Sequence, residues 1–148
     1  VNQQINGDLE MTLSKESRKI ITDELTLVAD NMDKSESVIE KLYYYSAAHS
    51  MIQRVLNIEY EPELIFIFLI LHETYTALNS RIQAIKRGDS LVTLEEEHFT
   101  KLAKYTRDLA RMLKMKKDVT NTLKKFSLLS YSATGNGYYL VKKGLLKF

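Results

Sequence analysis

Cysteine and tryptophan are absent from the 148 residues, proline occurs once and glycine five times. Without cysteine there is no disulfide, no thiolate nucleophile and no cysteine-ligated metal. One proline and few glycines leave little to interrupt regular structure, and abundant Lys, Glu and Leu favour helix. Long apolar runs are missing too. The longest, Leu64 to Leu71, has eight residues, against the roughly 20 that a bilayer-spanning helix needs. Val1 to Asn6 is polar and lacks the basic-then-apolar order of a signal peptide. These absences lead to the expectation of a soluble, cytoplasmic chain.

Catalytic constellations are equally scarce. His49, His72 and His98 are far apart in sequence. His72-Glu73 begins like a zinc-protease motif, but Thr76 stands where its second histidine would fall. Glu95-Glu96-Glu97 suits the positive end of a helix dipole better than paired acid–base chemistry. There is no glycine-rich phosphate loop. No enzyme activity, cofactor or metal is expected. Tyr43-Tyr44-Tyr45 would point three ways on a helix, part core and part surface, rather than form a stacking platform.

What is present is charge, unevenly placed. Residues 1–100 hold nine Lys/Arg and seventeen Asp/Glu, a net −8, whereas 101–148 hold twelve Lys/Arg and two acids, a net +10. Such asymmetry fits a basic part that meets a polyanion. The alternative, which it fits less well, is two halves that attract each other, within or between chains.

Residues 1–13 are polar and expected to be disordered. Ile20, Ile21, Leu25, Val28 and Met32 then recur at helical spacing, and a polar stretch follows in which Asp33 or Ser35 is placed to cap a second helix. That helix carries Val38, Ile39, Leu42, Tyr45, Ala48, Ile52, Val55 and Leu56 and ends over 57–61. Pro62 suits the first turn of a third helix. Taken alone, 63–71 would pass for a buried strand, but the apolar pattern continues through Tyr75, Leu78, Ile82 and Ile85 to a stop at Arg87-Gly88. Apolar all round, this helix is expected at the centre of the fold or at the seam of a dimer. Thr93 and Glu96 form a capping box for a helix that turns Phe99, Leu102, Leu109, Ala110 and Leu113 inward and Lys101, Lys104, Arg107, Arg111 and Lys114 outward. Asp118 caps a further helix to about Leu128, and Tyr131 to Val141, centred on Gly135-Asn136-Gly137, has the pattern of a β-hairpin.

Within this order, Leu109, Ala110 and Leu113 followed by Val119, Leu123 and Phe126, with Met115 filling the turn between, resemble the helix-turn-helix of MarR-like winged-helix regulators. The resemblance covers about residues 93–148, and Lys114 stands where that family usually has a glycine in the turn. It implies a mainly α fold: long N-terminal helices plus a C-terminal winged helix-turn-helix whose wing is the terminal hairpin. It divides the chain into an acidic helical region at 14–88, for dimerisation, and a basic region at 89–148.

The resemblance also implies a function: a sequence-specific regulator of transcription that binds double-stranded DNA as a homodimer. Lys117, Thr120, Asn121, Lys124 and Lys125 would meet the major groove, with Arg107, Arg111, Lys142 and Lys143 on phosphates and Lys116 also at the DNA. The alternative is a helical adaptor or small subunit of a nucleoprotein complex, binding RNA or single strands through the basic end, with Tyr131, Tyr138 and Tyr139 as stacking surfaces. No residue pattern supports a small-molecule effector, and no membrane partner is expected.

Overall fold

The structure, a computed structural model, describes residues 13–88 and 96–134. They form five helices: α1 (Lys15–Lys34), α2 (Val38–Leu56), α3 (Pro62–Lys86), α4 (Glu96–Lys114) and α5 (Thr120–Thr134). The helices pack as a closed ring. α1 lies against α2 and α4, α2 against α3, α3 against α5, and α5 returns to α4, while α2 also touches α4 across the middle. No described helix is long and apolar enough to cross a membrane.

Local chemistry sets each boundary. The Ser14 hydroxyl accepts the Ser17 N–H at 3.1 Å and starts α1, whose Ile21, Leu25, Val28 and Met32 form the buried stripe. Ser37, not Ser35 or Asp33, caps α2, accepting from the Glu40 N–H at 3.0 Å. Ser35 is engaged instead in closing α1, its hydroxyl donating to the Asn31 carbonyl, and Asp33 is still inside that helix. Lys41 completes the corner by donating to the Met32 and Ser35 carbonyls at 2.6 and 2.7 Å. Such carbonyls at a helix end have no partner within the helix itself.

Residues 63–71 are helical, with Pro62 in the first turn. α3 is not central: it touches only α2 and α5. Leu64, Ile67, Ile70, Leu71, Thr74, Leu78 and Ile82 face the core, while Leu69 is 38 % exposed. A hydroxyl network joins α3 to its neighbours inside the apolar core. Tyr45 donates to the Leu71 carbonyl at 2.9 Å. Ser130 donates to the Thr74 hydroxyl at 2.9 Å, and the Phe126 carbonyl is within 3.1 Å of the Ser130 hydroxyl. Leaving one such buried group unmatched costs about 1–3 kcal/mol, so these contacts fix how α5 sits on α3.

The expected winged helix-turn-helix with a β-hairpin is corrected: the described residues are all-helical and include no strand. α5 passes the expected stop at Leu128 and runs to Thr134, through the start of the proposed hairpin. The reason lies in spacing. Phe126, Leu129, Ser130 and Ala133 recur at three- and four-residue steps and are buried, and the Ser132 hydroxyl bonds the Leu129 carbonyl within the helix. The Thr93 cap, the hairpin tip at 135–137, its return strand, and Lys142 and Lys143 lie outside the described residues. Helices α1 to α3 and the pair α4–α5 share one apolar core.

Candidate nucleic-acid interface

The two helices of the resemblance are present and meet through the expected stripe. Leu109, Ala110 and Leu113 of α4 are buried, as are Val119, Leu123 and Phe126 at and beyond the start of α5. The turn between them differs from expectation. Met115 is 49 % exposed and does not fill it. Instead α4 ends in a Schellman motif: the Lys117 N–H bonds the Met112 carbonyl at 2.9 Å and the Lys116 N–H the Leu113 carbonyl at 3.2 Å. The residue between those bonds must be left-handed, and Lys116 is, at φ +57°. Glycine is the usual occupant, so the glycine expected at 114 is needed two residues later. Asp118 then starts α5, its carboxylate accepting from the Thr120 N–H at 3.2 Å and hydroxyl at 2.8 Å.

The basic residues of this region fall into two groups. Along α4 as far as Arg111 each has an acidic partner: Lys101 has Glu97 at 3.2 Å, Lys104 has Asp108 at 3.4 Å and Arg111 has Asp108 at 3.2 Å. Arg107 reaches across to α1, bonding Asp30 at 2.7 Å and Asp33 at 2.6 Å, and these two carboxylates raise its pKa. Here the acidic and basic parts attract one another within the chain. From Lys114, the last residue of α4, the pairing stops. Lys114, Lys116 and Lys117 are exposed and have no ion-pair partner among the described residues.

On α5, Asn121 is exposed and Lys124 half-buried, one turn apart on the outer face. Lys125 lies 6.0 Å from the centre of the Tyr105 ring, and the Thr120 hydroxyl is held by Asp118. Of the residues named for DNA, Lys116 and Lys117 lie in the α4–α5 turn and Asn121 and Lys124 in the first two turns of α5, with Thr120 and Lys125 tied to neighbours. The structure separates Arg107 and Arg111, which are held by acids on α1 and α4.

Three cations beside this turn come from the opposite end of the chain. Arg18 of α1 donates to the Leu113 carbonyl at 2.7 Å, the part-buried acceptor that also takes the Lys116 N–H at the end of α4. That bond draws Lys15 and Lys19 toward Lys114 and Lys116, and the four line a cleft of about 590 Å³ with Leu13, Arg18, Thr22 and Asp23. The local signal was the Lys15, Arg18, Lys19 spacing, which places all three on one helical face, but the net acidity of residues 1–100 masked it. Glu59 holds the very start of α1, accepting from the Ser14 N–H and the Ser17 hydroxyl, each at 2.7 Å. Those bonds lower the Glu59 pKa, the Ser17 contact most.

Among the described residues no cluster of three or more His, Asp or Glu could hold a metal. Comparison with known proteins finds no matching family model, no matching curated protein and no matching solved structure.

Proposed function

We propose that this protein binds double-stranded DNA through the corner where α4 ends and α5 begins, and that it acts as a regulator of transcription. One observation carries the reading: the cations of α4 up to Arg111 are matched by acids, but Lys114, Lys116 and Lys117 are gathered at a helix junction without any among the described residues. Clustered, unneutralised ammonium groups serve a polyanion, whose condensed counterions they displace. The outer face of α5 adds Asn121, an amide able to make two hydrogen bonds to an adenine edge, and a groove about 12 Å wide admits such a helix. The homodimer of this reading would use α3, whose outer face shows Leu69 38 % exposed among the half-buried Ile65, Phe66 and Phe68.

Fluorescence anisotropy of a labelled duplex across salt concentrations tests the proposal. Each neutralised phosphate adds about 0.9 to the log–log slope, so Lys117→Gln with Lys124→Gln is expected to lower it by about 1.8. Affinity that hardly changes from low to moderate salt would sink the phosphate-contact reading. Tyr131, 46 % exposed on α5, gives the single-strand alternative its one described stacking surface. Tyr131→Ala decides between them: a large loss on single strands with no effect on duplex favours the adaptor.

A further inference from the structure

Lys15, Arg18 and Lys19 belong to the acidic part of the sequence, yet the fold brings them to Lys114 and Lys116 around one open cleft of about 590 Å³. Folding accounts for only part of this. Arg18 closes the Leu113 carbonyl, and Lys19 lies 2.6 Å from Asp23, the one acid that lines the cleft. Lys15, Lys114 and Lys116 have no ion-pair partner among the described residues. The α1 N-terminus is not itself the attraction, because the Glu59 carboxylate already accepts from Ser14 and Ser17 there. Like charges converging on a recess without a structural partner oppose folding unless an anion joins them.

The chemistry of that anion follows from the donors. Ammonium groups on flexible stems from two helices, beside a guanidinium, suit an oxygen-rich group bearing more than one negative charge. Lys116 ties the cleft to the α5 corner: it lines the cleft, and its neighbour Lys117 begins the surface that leads to Asn121 and Lys124. A chain of phosphates is an anion that can lie on that surface and in the cleft together. We propose that the cleft between the start of α1 and the end of α4 seats backbone phosphates of the same DNA that lies on α5, a site that presupposes the DNA reading above. Lys15, Lys114 and Lys116, the cleft lysines without an acidic partner among the described residues, are its contacts.

The test compares two triple variants of equal net charge in the full chain, again by duplex anisotropy against salt. Lys15→Gln, Lys114→Gln and Lys116→Gln together are expected to lower the log–log slope by about 2.7. Lys34→Gln, Lys86→Gln and Lys101→Gln, away from the cleft, are expected to leave it unchanged. All six lysines are exposed, and matching circular dichroism melts check that each variant is folded. A cleft variant with the wild-type slope, or an equal fall in both triples, overturns the proposal. In the first case the DNA reading survives if Lys117→Gln with Lys124→Gln still lowers the slope. A wild-type chain without salt-dependent duplex binding ends both. Tripolyphosphate serves as a second probe, with cleft amide shifts followed by NMR. Displacement of the duplex by tripolyphosphate supports a shared phosphate site. Cleft shifts with the duplex still bound overturn the backbone assignment in favour of a free polyphosphate.

Discussion

Lys116 carries two opposed demands, and separating them tests the structure at its most informative residue. Its φ of +57° closes the Schellman motif that ends α4. For a residue with a Cβ, that backbone costs about 1–2 kcal/mol. Glycine removes the cost but gives up about 0.5–1 kcal/mol to the greater freedom of the unfolded chain. The balance makes Lys116→Gly more stable by about 0.7 kcal/mol, a rise of about 2 °C in melting temperature for a chain of this size. Lys116→Ala keeps the strain and loses the charge, so it should melt close to wild type. DNA binding should rank differently: both variants lose the same ammonium, and each should lower the salt slope by about 0.9. Circular dichroism melts and duplex anisotropy on the three proteins suffice. A glycine variant no more stable than the alanine variant refutes the strain argument. A glycine variant with the wild-type salt slope refutes the phosphate contact.

Arg107→Gln should do the reverse. Its pairs with Asp30 and Asp33 are 43 % exposed on the arginine side, so their loss should cost about 1 kcal/mol or less, with the difference fading at high salt. Duplex affinity should stay unchanged, and a loss comparable to that of a corner lysine would contradict the division between matched and unmatched cations. His49 makes stability depend on pH. Its Nε2 is buried without a hydrogen-bond partner among the described residues, with the His72, Phe68 and Tyr75 rings at 5.3, 6.1 and 5.1 Å. Burial first, then the charge of His72, lowers its pKa from 6.5. The unfolded chain therefore takes up the proton first, and stability that is complete above pH 6.5 falls as the pH drops from there toward the lowered value. His49→Phe keeps a ring in the cluster and should flatten the acid side of a melting-temperature profile; the same acid loss in both proteins would exclude His49 as its source.

Helix positions were legible because the apolar residues repeat at three- and four-residue steps. The stripe Val119, Leu123 and Phe126 was read from spacing alone and is buried. The helix starts were less so, since several capping residues lay close together. Ser35, Ser37 and Asp33 are all able to cap, and only the closing contacts of α1 leave Ser37 for the role. The hairpin expectation weighed Gly135-Asn136-Gly137 against tyrosines on either side and passed over Leu129, Ser130 and Ala133. Their burial against the core is a long-range fact: Ser130 is held by Thr74, 56 residues earlier. The left-handed residue at the end of α4 escaped for a related reason. The resemblance led to a glycine being sought at 114, while the geometry requires a left-handed residue at 116 whatever its identity.

The charge pattern shows why a composition count misplaces the unmatched cations on which the proposed site rests. A count treats Arg107 and Lys114 as equivalent, yet one is held by two carboxylates of α1 and the other has no acid among the described residues. It likewise sets Lys15 and Lys19 among the acids of residues 1–100, though Arg18 joins their helix to the end of α4. Ion pairing inside the fold removes charge from the basic part and helix packing adds cations from the acidic part. What remains for a ligand is the difference, and it is fixed by which helices touch. The contact of α1 with α4 therefore decides both which arginine is withdrawn and which lysines are added. Any arrangement that parted those two helices would free Arg107 and dissolve the cleft in the same step.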